Sequence, residues 1–161
     1  MAAPRKYTLD TNLFIEAFRD SVANAQLVQF HSAFAPFEYL HAVVVEELRA
    51  GVRTGRPLRL LERHVLDPFI RRGRLITPSF AAWRKSGDTL RDLARRDGLE
   101  LRSVRKSFGN DVLLAASCRE AGVVLVTDNL RDFRRIQVVL PFEFLAPWPV
   151  RAEPVLRHRL T

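Results

Sequence analysis

The sequence predicts a three-layer α/β/α sandwich built around a parallel sheet, and three observations support this fold class. Short aliphatic runs alternate along the chain with longer segments in which apolar residues recur at helical spacing. The clearest run, Val123 to Val126, is aliphatic throughout, as in strands that are covered on both faces. The chain has 161 residues and a hydrophobic content of 47%, which suits one compact domain with a continuous core.

The first strand is predicted over residues 6–9, and it ends at Asp10. Thr11 and Asn12 then open a helix, and a second helical pattern covers residues 21–34. Asp10 could simply cap the first helix, which is the commoner role of an isolated aspartate before a helix. A carboxylate at a strand end could instead belong to a site at the edge of the sheet.

A second strand is predicted over residues 37–41, followed by a helix over 42–50 that ends at Gly51. Two glutamates, Glu46 and Glu47, follow three valines on this helix. Adjacent helical residues point about 100° apart, so both glutamates cannot face water if the valines are buried. Either one glutamate faces inward toward a site, or both are exposed at the edge of the helix.

The middle of the chain is predicted to contain an amphipathic helical segment, a short strand, a long helix and a charged connection, over residues 55–72, 75–77, 80–96 and 99–107. The amphipathic segment should break into two pieces at Asp67 and Pro68. The charged connection carries Arg105 and Lys106 just before Asp111. These cations could hold a polyanionic substrate beside that acid.

Two acids are predicted to meet at one edge of the sheet. Asp111 follows a helix-start signal, Gly109-Asn110, and Gly122 ends that helix. The next strand returns beside the helix and ends in a polar run, Thr127-Asp128-Asn129. Because the start of the helix and the end of the strand lie at the same edge, Asp111 and Asp128 are expected to converge.

The end of the chain is predicted to contain a short basic helix and then one or two short strands over residues 138–145, interrupted by Pro141. Residues 1–146 are expected to form the domain. Residues 147–161 are expected to form a basic C-terminal tail, because prolines and arginines dominate there.

The charge of the chain indicates a polyanionic partner. Its formal net charge is +8 at pH 7, and arginine, which binds phosphate in a two-point fashion, supplies most of it. A solvated basic surface is the alternative. The single cysteine, Cys118, excludes an internal disulfide and fits a reducing, cytoplasmic setting. No apolar run approaches the length of a membrane span, and no signal-peptide pattern is present, so neither a membrane location nor secretion is expected.

A group of carboxylates at a sheet edge favours a hard divalent cation. Crowded carboxylates repel one another, and all-oxygen ligation suits Mg²⁺ or Mn²⁺ better than zinc. A cation held in this way lowers the pKa of bound water and neutralises phosphoryl oxygens. Together with the basic chain, this predicts a nuclease. A haloacid-dehalogenase-type phosphatase would need aspartate where Asn12 stands, and neither the acids and lysine of a receiver domain nor the glycines of a dinucleotide fold are evident.

Four segments resemble the successive motifs of PIN-domain ribonucleases, most closely the VapC-type toxins of bacterial toxin–antitoxin pairs. They are, in order, Leu9–Asn12, Val45–Gly51, Asn110–Ala116 and Leu125–Phe133. The resemblance implies Mg²⁺- or Mn²⁺-dependent endonucleolytic cleavage of RNA by a PIN-like fold with a five-stranded parallel sheet. It also implies frequent homodimerisation and inhibition by a cognate antitoxin.

The resemblance also implies a set of metal-binding, catalytic residues, namely Asp10, Glu47, Asp111 and Asp128. Glu47 is preferred to Glu46 because the family's glutamate stands four residues before the helix-ending glycine, here Gly51. At the fourth position both Asp128 and Asn129 are eligible, and we favour Asp128 as the charged group. Supporting roles are expected for Thr11, Asn12, Thr127 and Asn129. Asp132 is expected to cap the short helix or to pair with an arginine.

A different class of function is a PIN-like module that has lost its chemistry and holds RNA or a protein partner through its arginines. The complete set of acids favours the enzyme. In the toxin hypothesis, an antitoxin should offer acids to the arginines and a cation to the carboxylate pocket. Its apolar contacts are expected on helices that carry four phenylalanines, Phe14, Phe18, Phe30 and Phe34, although at least half of these are expected to be core residues.

Overall fold

The protein is described here from a computed structural model that covers residues 4–150. Residues 151–161, most of the predicted basic tail, lie outside the described residues. Within residues 4–150, the strands are β1 Lys6–Leu9, β2 Glu38–His41, β3 Leu75–Ile76, β4 Val123–Val126 and β5 Phe144–Leu145. The helices are α1 Thr11–Arg19, α2 Ser21–Phe34, α3 Ala42–Gly51, α4 Arg56–Leu61, α5 Asp67–Arg71, α6 Phe80–Asp97, α7 Lys106–Ala121 and α8 Leu130–Gln137.

All five strands run parallel in the order β3-β2-β1-β4-β5. The predicted three-layer fold with a five-stranded sheet is therefore confirmed. β1 and β4 are central neighbours, with Leu9 opposite Val126, so the residues that follow these two strands emerge side by side. This is the sheet edge at which α/β proteins place their sites.

Two apolar clusters fill the two sides of the sheet. One joins alternate residues of β1 and β4, such as Leu9 and Val126, to helices α1 to α3. The other joins Leu125 to α7 and α8, where Phe133 is fully buried. Because successive side chains of a strand point to opposite faces, β4 contributes to both clusters, which explains its continuous aliphatic sequence.

The predicted break at residues 67 and 68 is wrong in its position, because the chain stays helical there and the α-helical bonding changes earlier, at Glu62–Leu66. A wide helical turn, Glu62–Leu66, connects α4 to α5. Pro68 lies in the first turn of α5, where a missing backbone N–H is tolerated. Within the described residues, no helix is both long enough and apolar enough to cross a membrane.

Helix α7 begins five residues earlier than Asp111, so the predicted helix start at Gly109-Asn110 is wrong. The Gly109 N–H donates to the Arg105 carbonyl oxygen at 3.1 Å, which continues the helical bonding through the glycine. Phe108 is buried in the second apolar cluster. Its burial contributes about 2 kcal/mol, more than the roughly 1 kcal/mol that a glycine costs inside a helix. Asp111 therefore lies in the second turn of α7.

The prediction of strands over residues 138–145 is correct only for the last two residues, which form β5. The Val139 and Leu140 N–H groups both donate to the Ile136 carbonyl oxygen, so this part of the chain is a turn that closes α8. Leu140 is fully buried, and its apolar character reflects core packing rather than a strand.

Candidate active site

The site begins at the ends of β1 and β4. Asp10 follows β1 and is only 5% exposed, while Thr127 follows β4 and is fully buried. The Thr127 hydroxyl donates to Asp10 Oδ2 at 2.6 Å, and the Thr11 backbone N–H donates to Asp10 Oδ1 at 2.7 Å. Asp10 therefore does cap helix α1, as one reading of the sequence expected. Its second carboxylate oxygen is bonded across the sheet edge to Thr127.

The electrostatic environment of Asp10 opposes its ionised form. Burial raises the pKa of this carboxyl to about 6, against the lowering effect of the hydrogen bonds from Thr127 and Thr11. The negative charges of Glu47 and Asp128 contribute to this rise in the pKa of Asp10. Asp10 is thus a buried carboxyl with other acids nearby.

Glu47, rather than Glu46, is the glutamate of α3 that faces this edge. Asn110 Nδ2 donates to Glu47 Oε1 at 2.8 Å, and the Thr11 hydroxyl donates to Glu47 Oε2. Glu46 is exposed and pairs with Lys106 at the start of α7. The valines before the glutamates pack inward and so fix which face of α3 is turned to the interior. Because adjacent helical residues point about 100° apart, only one of the two glutamates can then face the site.

Asp111 is the third carboxylate of the group. Its pKa is raised to about 8, mainly by burial and also by the charges of Asp10, Glu47 and Asp132. Arg105 opposes this rise. Since Asp10, Glu47 and Asp111 come from the start of α1, from α3 and from α7, three elements of the fold place their acids close enough to repel one another.

The polar run after β4 reaches Asp111 through Asn129. Asn129 Nδ2 lies 3.3 Å from Asp111 Oδ2 and 3.2 Å from Asp132 Oδ2, so one amide spans the two carboxylates. Asp132 is half-buried in the first turn of α8, and within the described residues it makes neither the predicted cap nor the predicted arginine pair; it accepts from Asn129 instead. Asp128 is exposed, and its charge acts on Asp10 rather than on Asp111.

Each of the three central carboxylates accepts a hydrogen bond from a carboxamide. Asn12 Nδ2 lies 3.2 Å from Asp10 Oδ2, and the other two donors are Asn110 to Glu47 and Asn129 to Asp111. Asn12 and Asn129 were expected in supporting roles, but Asn110 was interpreted only as a helix-start signal. Its position immediately before Asp111 was the sequence feature that could have indicated a role in the site.

The donor set suits a hard divalent cation in its chemistry. Three carboxylates supply only oxygen ligands, and burial and mutual repulsion raise the pKa values of Asp10 and Asp111, an effect that a bound cation would reverse. Within residues 4–150, however, no group of three or more acidic, histidine or cysteine side chains is already arranged to hold a metal ion. The carboxylates are turned toward amide and hydroxyl donors, so ligation would exchange some of these hydrogen bonds.

Comparison with known proteins supports the same assignment of the fold. A family model described as PIN domain matches residues 7–139. No curated protein matches the sequence. Solved structures with the same fold include a DNA-bound VapBC from Salmonella typhimurium, with 21% identity, a TM-score of 0.66 and coverage of 89% of this chain and 98% of that chain.

Two further structures show the same likeness. VapBC2 from Rickettsia felis, bound to a DNA fragment from its promoter, has 24% identity and a TM-score of 0.59, over 89% of this chain and 98% of that chain. VapBC-5 from Mycobacterium tuberculosis, a member of the VapBC family of toxin–antitoxin systems, has 20% identity and a TM-score of 0.54, over 89% of this chain and 99% of that chain. At these identities the likeness establishes a shared fold.

Proposed function

This chain belongs to the PIN-domain family, and on that basis we propose that it is a metal-dependent endoribonuclease, the toxin of a toxin–antitoxin pair. The observation that carries the proposal is the convergence of Asp10, Glu47 and Asp111: the charge of Glu47 raises the pKa of both aspartates, and the charge of Asp10 raises the pKa of Asp111. Repulsive carboxylates lower stability when the pocket holds no cation, so their convergence from three elements favours a binding role.

In the proposed reaction, Asp10, Glu47 and Asp111 hold Mg²⁺ or Mn²⁺. The sequence also predicts that Asp128 assists by positioning water or a second ion. The cation would activate water and stabilise the charge that develops on the phosphodiester oxygens. The residues around the acids hold the carboxylates by hydrogen bonds: Thr127 and Asn12 contact Asp10, while Thr11 contacts Glu47. These bonds restrict the rotation of the carboxylates, and binding of the cation would exchange some of them for ligand bonds.

The proposed substrate is single-stranded or looped RNA. The net charge of +8 favours a polyanion, and the action of Arg105 on Asp111 puts a cation beside the acids. Lys106 lies at the rim, where it pairs with Glu46. A phosphate backbone could therefore be guided toward the carboxylates. We also propose a cytoplasmic location, which the single cysteine of the sequence favours.

The competing function is a PIN-like module that binds RNA or protein without cleaving it. The basic surface alone would serve such a module. The three coupled carboxylates favour the enzyme, because a module without chemistry has no need for buried acids that lower its stability.

Purified protein should cleave a single-stranded RNA when Mg²⁺ or Mn²⁺ is added, and a chelator should stop the cleavage. The physical reason is that the carboxylates alone repel a phosphodiester, whereas the cation neutralises both. The measurement is the appearance of RNA fragments on a gel, with cleavage restored by excess Mg²⁺ as the control. RNA binding without cleavage at any cation concentration would favour the inactive module instead.

A comparison of two variants tests whether Asp132 or Asp128 is the fourth acid of the site. We expect Asp132→Asn to lower the cleavage rate about 10-fold or more, and Asp128→Asn to change it less than about 3-fold. Asp132 shares the Asn129 amide with Asp111, whereas Asp128 is exposed. Initial rates on the same RNA measure both variants. A larger loss in Asp128→Asn would restore the role first predicted for Asp128.

The proposed antitoxin has a candidate surface beside α1 and α4. Phe14, Phe30 and Phe34 are core residues, whereas Phe18 is 53% exposed. A mainly apolar groove of about 470 Å³ is lined by Phe18, Val52, Pro57, Leu60, His64 and Val65. Apolar residues of an antitoxin could fill this groove while one of its basic side chains enters the carboxylate pocket.

A homodimer is also proposed, because α6 presents apolar surface that nothing covers within the described part of the chain. Phe80 and Trp83 lie on this helix with 79% and 60% exposure, and Leu101 lies nearby in the connection to α7. Exposed aromatic groups of this size commonly mark protein contacts. The adjoining groove extends to Asn110, so a second copy would lie next to the site.

A further inference from the structure

The position of Glu47 depends on two donors that belong to other elements. Asn110 Nδ2, on α7, donates to Glu47 Oε1 at 2.8 Å, and the Thr11 hydroxyl, on α1, donates to Glu47 Oε2. Asn110 directly precedes Asp111, and Thr11 directly follows Asp10. Each aspartate of the site therefore has a chain neighbour that binds the glutamate.

A glutamate needs such support at this place. Its side chain has three rotatable bonds, and fixing them costs roughly 1–2 kcal/mol in conformational entropy. Glu47 is half-buried at the edge of α3 and lies close enough to Asp10 and Asp111 to raise the pKa of both carboxyls, so this repulsion favours rotation of the Glu47 side chain toward solvent. A hydrogen bond to a charged group contributes about 1.5–3 kcal/mol, so the Asn110 amide can offset this tendency.

We propose that Asn110 is a positioning residue that holds the Glu47 carboxylate in register with Asp10 and Asp111. Asn110 acts through Glu47, since its Nδ2 hydrogen bond is to that side chain. The inference rests on the proposed function, because the position of Glu47 matters only if the three carboxylates work together. Among the hydrogen bonds of residues 4–150, the only other one that α7 donates to α3 joins Lys106 to the exposed Glu46, so Asn110 is the donor from α7 to Glu47.

The test is a double-mutant cycle with a direct measurement of Mn²⁺ affinity by calorimetry or by electron paramagnetic resonance. Asn110→Ala should weaken Mn²⁺ binding about 10-fold and lower the cleavage rate about 10–100-fold, as is usual when a residue that orients a metal ligand is removed. In a Glu47→Ala background, adding Asn110→Ala should change Mn²⁺ affinity less than about 2-fold, because the side chain through which Asn110 acts is already missing.

Two further variants separate positioning from packing. Asn110→Leu keeps the branched shape of the side chain but removes the donor, so it should match Asn110→Ala. Asn24→Ala, an exposed asparagine on α2, is the matched control and should keep wild-type Mn²⁺ affinity. Thermal unfolding of each variant shows that the fold is intact.

The outcomes distinguish the two proposals. If the wild type binds Mn²⁺ and cleaves RNA, but Asn110→Ala and Asn110→Leu do so equally well, the role of Asn110 is overturned and the proposed function stands. Equal losses in the wild-type and Glu47→Ala backgrounds would also overturn it, because Asn110 would then act independently of Glu47. If the wild type neither binds Mn²⁺ nor cleaves RNA, both proposals fail.

Discussion

Replacing Asp111 by asparagine is expected to lower RNA cleavage more than about 100-fold while raising thermal stability. The substitution keeps the shape of the side chain and removes its charge. Asp111 lies between Asp10, Glu47 and Asp132, which all raise its pKa. A neutral amide cannot supply the negative charge that a cation needs, so activity should fall even though the fold gains stability.

The same change should stabilise the protein by roughly 1–3 kcal/mol at neutral pH, since the folded carboxyl must otherwise take up a proton that the unfolded chain does not bind at this pH. For a chain of this size, this corresponds to an increase in Tm of about 3–10 °C. Cleavage is measured as an initial rate, and Tm by circular dichroism. Asp88→Asn is the matched control, because Asp88 lies on α6 and pairs with Arg91 outside the site.

The toxin half of the proposal can be tested with the same variant. Expression of the wild type should arrest bacterial growth, and Asp111→Asn should not, while Asp88→Asn should remain toxic. A variant that is stable and inactive on RNA but still toxic would separate toxicity from cleavage. Loss of activity together with a lower Tm would mean instead that Asp111 supports the fold.

The fold could be predicted because its signals are local. The aliphatic run of β4 and the helix-ending Gly122 depend on a few neighbouring residues, and Gly122 adopts the left-handed conformation expected at the end of a helix. Once the strands were known to be parallel, the ends of β1 and β4 had to lie at one edge. Asp10 and Thr127 follow those ends directly, and they are in contact.

The rest of the site depends on tertiary contacts that no local pattern contains. The early start of α7 follows from the burial of Phe108 against the second apolar cluster, and it places Asn110 on the turn that faces α3. The link from Asp132 to Asp111 through the Asn129 amide follows from the direction in which α8 leaves β4. A short polar run such as Thr127-Asp128-Asn129 does not fix that direction, so the sequence left Asp128 and Asn129 both eligible and did not indicate that Asp132 lies close to Asp111.

The stability of the wild type should fall as pH rises from about 6.5 to 8, and Mg²⁺ should reverse the loss. The carboxyl of Asp111 has a pKa of about 8 in the folded protein and 3.8 as its ordinary value. Between these values the folded state holds more protons than the unfolded state, so raising the pH favours unfolding. From pH 6.5 to 8 this should cost roughly 1–2 kcal/mol.

The choice of pH range isolates Asp111 from the other shifted groups. Asp10 has a pKa of about 6, so its contribution is largely complete by pH 6.5. Burial lowers the pKa of His41 from 6.5 to about 4, so this group destabilises the fold only as pH falls through that interval. Above pH 6.5 the slope should therefore come mainly from Asp111, and Asp111→Asn should have a nearly flat profile.

A cation bound at Asp111 takes the place of the proton that this carboxyl would otherwise bind in the folded protein. Ligation lowers the pKa of Asp111, and binding to the folded state alone stabilises it by about 2–3 kcal/mol at a hundredfold excess over Kd. Millimolar Mg²⁺ should thus raise the Tm of the wild type more at pH 8 than at pH 6.5, and raise that of Asp111→Asn much less. The measurement is the Tm of the wild type and of Asp111→Asn, with and without Mg²⁺ at both pH values. Equal shifts for the two proteins would place the cation away from Asp111, since only a ligand at that carboxylate can compete with its proton.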